Sequence, residues 1–224
     1  MSAATGRPSR RLVLGGAAAG LLGAGALAAC SDAPPAGPPG SSATPPPSTT
    51  TTTAPRPAYV GEERGIALCA ALSALAASLY SGAVLAATDG RLGQVPGVVT
   101  AFLSGAGAQH TEHAAAWNAL LTAAGRPAVT GTPLTVETER RATLGRAAAP
   151  TDLLAVAVDV EASVGATVLA RAGEFTDTGA AALAATLAPV AAMHGATAAF
   201  LLGRPTGVTP GPAGAALGPD ALTV

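Results

Sequence analysis

Leu68, Leu72, Leu75, Leu79 and Ala86 recur at the spacing that puts side chains on one face of an α-helix. The same period returns three times further along. Val99, Phe102, Ala106, His110, His113, Trp117, Leu120 and Leu121 make a second stripe, and Leu153, Ala157, Val160, Val164 and Val168 a third. Leu183, Leu187, Val190, His194, Ala198 and Leu201 make the fourth. A helix with one apolar stripe must bury it, and four such helices do so by packing into a bundle. The chain is 49% hydrophobic but only 3% aromatic, so its core is filled by Ala, Leu and Val. Ala is the best helix former and strand-forming runs are short, so an all-α fold is expected.

The breaks between stripes set the helix ends. Glu62 and Glu63 suit a helix N-terminus, and Thr88-Asp89-Gly90 ends the first helix. The second runs from about Val95 to Ala124 and stops at Gly125-Arg126-Pro127. A charged segment over Val136–Arg146 reads as a short, solvated helix. Thr151-Asp152 then caps a third long helix to Ala172, and Thr176 starts a fourth that Gly203 ends. Pro189 should bend or restart that last helix, because it supplies no N–H and its ring clashes with the preceding turn. Residues 61–204 are thus expected to form a four-helix bundle with one longer crossover between helices two and three, and residues 205–224 an irregular Gly/Pro-rich tail.

The N-terminal part has another character. Ser9-Arg10-Arg11-Leu12-Val13-Leu14 looks like a twin-arginine export signal, and an apolar stretch follows it to Ala29. That stretch ends in Leu27-Ala28-Ala29-Cys30, which resembles the lipobox of bacterial lipoproteins. The Cys30 thiol there takes the lipid and becomes the new N-terminus. Residues 1–30 are therefore read as a signal peptide, and the mature chain as anchored by lipid to the extracytoplasmic face of the cell membrane. Residues 31–60 contain nine Pro and the run Ser48 to Thr53, a composition that cannot bury a core and suits an extended tether.

All twelve basic residues are Arg, and the formal charge is −1. Loss of Arg7, Arg10 and Arg11 with the signal takes it to about −4. No basic patch remains to support nucleic-acid binding. No Gly-x-Ser-x-Gly elbow and no phosphate-binding loop is present, so no catalytic residue is singled out. With Cys30 lipidated, Cys69 has no partner in the chain and reads as a buried, inert thiol.

Chemistry is concentrated on the inner stripes. His110 and His113 lie on the second helix, Glu161 on the third and His194 on the fourth. Polar groups converging from three helices are the arrangement that metal sites in bundles use. His110-Thr111-Glu112-His113 with the following Ala-Ala-Ala-Trp-Asn-Ala-Leu-Leu, and Leu187 to His194, resemble the second and fourth helices of exported, actinobacterial-type ferritin-like domain proteins. The resemblance covers about Gly61 to Gly203 and implies a ferritin-like bundle with its ligands at the centre. It places His113, Glu161 and His194 at ligand positions. His110 stands where that family has Glu, Ala191 takes the fourth-helix Glu position, and the first-helix Glu falls near Ser73. A carboxylate-bridged di-iron pair cannot be held by one Glu and three His.

Two readings follow. The first is a lipid-anchored extracytoplasmic ferritin-like protein with a degenerate metal site and no cofactor. It would be a non-catalytic binding or structural envelope protein whose Ala-rich surface is open to an envelope partner or a second copy. The second is a mononuclear metal-binding protein or oxidoreductase using His110, His113, Glu161 and His194 on one Zn, Cu or Fe ion.

Overall fold

The computed structural model describes residues 58–204 and 215–224; the twin-arginine segment, Cys30 and the Pro/Thr-rich tether lie outside the described residues. Four long helices, α1 (Glu62–Thr88), α2 (Gly97–Ala123), α4 (Pro150–Ala172) and α5 (Thr178–Leu201), pack with a short α3 (Glu137–Gly145), and no strand is found among the described residues. Each of the four apolar stripes turns inward. Leu68, Leu72, Leu75 and Leu79 of α1, Leu153, Val160, Val164 and Val168 of α4, and Val99, Ala106, Trp117 and Leu121 of α2 are all buried.

Two contacts orient the helices. Glu62 Oε2 accepts hydrogen bonds from Thr176 N at 2.7 Å and Asp177 N at 3.1 Å, so α1 and α5 start at the same end. Arg91 Nη1 donates to Ala147 O at 2.7 Å, so the α1–α2 turn and the start of α4 meet at the other. α2 and α4 therefore run the same way, and the segment between them travels the length of the bundle. Asn118 fastens its beginning, with Nδ2 donating to Val129 O at 3.1 Å and Val129 N donating to Oδ1 at 2.8 Å.

Helix ends follow local chemistry, with small corrections to the expected starts. α2 begins at Gly97, just after Pro96, rather than at Val95. α4 begins at Pro150, where a missing N–H costs nothing, and Asp152 is its third residue rather than its cap. The Asp152 carboxylate reaches back to accept from Ala148 N at 2.8 Å and Ala149 N at 3.0 Å. α5 begins at Thr178, capped by Asp177 Oδ1 accepting from Ala180 N at 2.7 Å, instead of at Thr176. Both expected stops close with a left-handed Gly. Gly125 (φ 70°) lets Arg126 N bond Leu121 O at 2.8 Å, and Gly203 (φ 71°) lets Arg204 N bond Ala199 O at 2.9 Å. Pro189 does not restart α5, which continues through it to Leu201.

The described end of the tail docks on the bundle. Arg64 Nε donates to Pro219 O at 2.9 Å and Nη2 to Leu222 O at 3.0 Å. Leu222 pairs with Leu134 of the crossover, and Leu217 N donates to the buried Thr167 hydroxyl. With α2, α3, α4 and this tail around it, α1 buries fifteen of its 27 residues and is apolar almost all round. By length and composition alone, α1, α4 and α5 are apolar enough to cross a membrane. α5 is the outlier among them: it carries no charged residue, yet its outer side leaves Met193 and Phe200 exposed.

Candidate metal centre

His110, Glu161 and His194 come together at the middle of the bundle, each offering a ligand atom within 4.8 Å of the others. They are 0%, 1% and 8% exposed, so the group is closed to solvent on every side except that of His194. Three side chains converge on one carboxylate oxygen, Glu161 Oε1: the Tyr80 hydroxyl donates at 2.7 Å, and His110 Nε2 and His194 Nδ1 lie at 2.8 and 3.2 Å. Burial pushes the Glu161 carboxyl up, but hydrogen bonds from His110 and His194, the His110 charge and the Tyr80 hydroxyl outweigh it and hold the group ionised below the usual range. Burial first, then the Glu161 charge and hydrogen bond, drive Tyr80 upward, so its hydroxyl stays protonated.

The helices deliver these groups by close approach. A Cβ on Gly107 would lie 2.9 Å from the Tyr80 Cβ, so only Gly at this position of α2 lets α1 bring the Tyr80 ring beside His110. The two rings stack with centroids 5.6 Å apart. A Cβ on Gly195 would meet the Glu161 Cβ at 3.4 Å, which shows how tightly α5 passes α4 at the same level.

Of the four candidate ligands, three are brought together. His113 is the exception. One turn beyond His110, it is half-buried at the seam between α2 and α5, its ring centroid 5.3 Å from that of His110, and no ring nitrogen bonds to Glu161. Ser73 is buried but makes no hydrogen bond to the group among the described residues; the first-helix residue that bonds Glu161 is Tyr80, two turns further on. Gln109, unremarked in the sequence, takes part through its amide oxygen, which lies 3.2 Å from His194 Nε2. Cys69 is buried and free, and burial, offset only in part by Arg171, pushes its thiol up to about 12. Its burial is as expected.

The group's chemistry fits a single ion. Two imidazoles and a carboxylate suit borderline divalent metals, and bonds of about 2.0–2.2 Å put neighbouring ligand atoms roughly 3.3 Å apart. The 3.2 Å between His194 Nδ1 and Glu161 Oε1 is close to that spacing, while the 2.8 Å between His110 Nε2 and Glu161 Oε1 is a hydrogen-bond distance that would open slightly around an ion. Glu161 Oε2 and His110 Nδ1 are buried without a partner. An orphaned carboxylate oxygen in an apolar core costs about 1–3 kcal/mol, which a cation at the carboxylate would relieve. A groove of about 300 Å³ lies between α1 and α2, lined by Ala77, Ser81, Leu103, Gly107 and Thr111, but it includes none of the three ligands.

Compared with known proteins, the chain matches no family model, no curated protein and no solved structure.

Proposed function

We propose that this chain is an exported, lipid-anchored protein of the cell envelope whose ferritin-like bundle holds one transition metal ion in a closed, non-catalytic site. One observation carries the metal-binding part. His110 Nε2, a Glu161 carboxylate oxygen and His194 Nδ1 lie buried within 4.8 Å of one another, Glu161 Oε2 is left without a partner, and Gln109 stands 3.2 Å from His194 Nε2 as an outer partner of that ring. Histidine ligands of metals have this outer partner as a rule, because it fixes the tautomer that offers the lone pair. His110 Nε2, His194 Nδ1 and the Glu161 carboxylate would hold the ion, with Tyr80 orienting the carboxylate. The ion would supply positive charge to a buried anionic centre. Zn(II), Cu(II) and Fe(II) suit this donor set.

Support for the ferritin-like reading comes from the parallel run of α2 and α4 joined by a crossover that spans the bundle, together with ligands on facing helices. Twin-arginine export, lipidation of Cys30 and the extracytoplasmic location rest on the motifs at Arg10, Arg11 and Leu27–Cys30. An exposed, uncharged α5 is compatible with an envelope partner or a second copy.

A second reading is favoured by the Tyr80 hydroxyl, which gives Glu161 Oε1 a third donor. A proton on His194 Nδ1 would then replace the ion, and the centre would be a closed ion-pair network in a structural or partner-binding lipoprotein without a cofactor. Elemental analysis of the full chain after reconstitution with Zn(II), Cu(II) or Fe(II) separates the two. The metal-binding reading expects about one equivalent per chain, lost in Glu161→Gln. Substoichiometric metal that Glu161→Gln leaves unchanged assigns the centre to the proton instead.

A further inference from the structure

The ligand group is sealed by α1 and α4 on one side, where His110 and Glu161 are wholly buried, so any ion must pass His194. His194 reaches the surface at the seam between α2 and α5. Three side chains of α2 surround it there. Phe102 packs edge-on with its centroid 6.4 Å away, Gln109 holds Nε2 at 3.2 Å, and His110 lies behind with its centroid at 5.6 Å. Gln109 itself is exposed, and one turn along the same helix stands His113. The His113 ring is half-buried, touches the His110 ring, and makes no hydrogen bond among the described residues. An imidazole with free ring nitrogens at the mouth of a ligand cluster is a ligand without a site of its own.

We propose that His113 and Gln109 form the entry port of the centre, His113 capturing a divalent ion at the seam and Gln109 acting as the latch on His194. This rests on the metal-binding reading above. While Gln109 holds Nε2, the His194 ring is fixed across the opening. When the amide lets go, the ring is free to turn and the ion passes from His113 to the three inner ligands. Capture involves no redox step: water leaves the ion as each imidazole nitrogen coordinates it.

Co(II) serves as the probe, because its visible absorption reports the change from aqueous to protein ligands. Loading of the full chain would be followed by stopped-flow absorption, and release by mixing the loaded protein with excess chelator. Removing an outer partner of a metal-bound His typically changes affinity by about 10–100-fold. Gln109→Ala is therefore expected to release Co(II) at least about tenfold faster than the unmodified chain. His113→Ala, and His113→Gln with its similar volume, should load more slowly than the unmodified chain, since both remove the capturing nitrogen. Thr111→Ala, exposed on α2 and bonded only to Gly107 O, is the control. Loading and release at unmodified rates in all the His113 and Gln109 variants would overturn the port. So would a His113 variant that binds less Co(II) at equilibrium, because His113 would then be a ligand of the centre. A chain that takes up no Co(II) at all defeats the metal-binding reading itself, a result distinct from unaltered rates.

Discussion

At the scale of single residues, His113 shows most directly what half-burial does. Burial, and then the charges of His110 and His194, lower its pKa from 6.5 to about 4, with Glu161 acting in the opposite direction. The folded protein thus keeps this imidazole neutral where the unfolded chain protonates it. As pH falls below about 6.5 the unfolded state binds the extra proton first, so stability declines until about pH 4, where the folded state takes it too. Glu161, held below the ordinary carboxylate range, adds its own loss from about pH 4.5, where the unfolded carboxyl begins to take its proton, until the folded carboxylate is protonated too. Urea unfolding between pH 6.5 and 4.5 should therefore show a falling midpoint, and His113→Gln should flatten that fall. An unchanged slope in the variant would show that His113 is solvated in the folded state.

The same residues show what a sequence gives away. His110, Glu161 and His194 were legible as a group because each sits on an inner stripe whose period the Leu and Val residues fix. His113 lies about 60° around the helix from His110, enough to move it from the core to the seam. Periodicity could not resolve that difference. Ser73 and Tyr80 are seven residues apart and share a face of α1, so the pattern identified the face but not the height along it. Only packing against Glu161 selects Tyr80. Gln109 gave no signal, since an exposed Gln beside a His is common on any solvated helix.

At the scale of helices, the bundle depends on small residues where pairs come closest. Gly107 of α2 faces Tyr80 of α1, and the 2.9 Å separation of an added Cβ from the Tyr80 Cβ is shorter than packed carbons tolerate. Gly107→Ala would gain about 1 kcal/mol of helix propensity. Against this, overpacking between two stiff helices costs roughly 1–3 kcal/mol, because the atom in the way is a Cβ and cannot swing aside. The net effect should be destabilising. It should also move the Tyr80 hydroxyl away from Glu161, so the Tyr80 absorption should change together with the melting temperature. A variant as stable as the parent would mean that α1 and α2 slide freely past each other. The helix stops followed from the sequence, because Gly125 and Gly203 act through local backbone geometry, whereas the starts at Gly97, Pro150 and Thr178 differ by one or two residues from those expected. The contacts between the helices did not follow, since they depend on which Gly meets which large side chain.

Over the whole domain, the tail closes the side of the bundle that no long helix covers. Residues 215–224 form no α-helix, only a short 3-10 turn over Pro219–Ala221, but Leu222 is 2% exposed and therefore part of the core. Arg64, one turn into α1, is the clamp, spending its guanidinium on two tail carbonyls rather than on a carboxylate. Such contacts, more than 150 residues apart, leave no trace in local pattern. Two hydrogen bonds from a charged donor to partly buried carbonyls are worth roughly 1–3 kcal/mol in total, allowing for replacement by water. Arg64→Ala should therefore lower the melting temperature by several degrees and free the tail. Because Leu134 of the crossover pairs with Leu222, and Thr135 N donates to Ala221 O at 2.9 Å, the crossover should loosen with it. Limited proteolysis would then cut between residues 130 and 136 in the variant well before the parent chain. Faster cleavage in the tail alone would show that α3 and the Asn118 bracket hold the crossover without help. The metal centre provides the complementary measurement: the tail reaches α4 at Thr167 but hydrogen-bonds none of the three ligands, so Arg64→Ala should leave Co(II) uptake intact while it lowers stability.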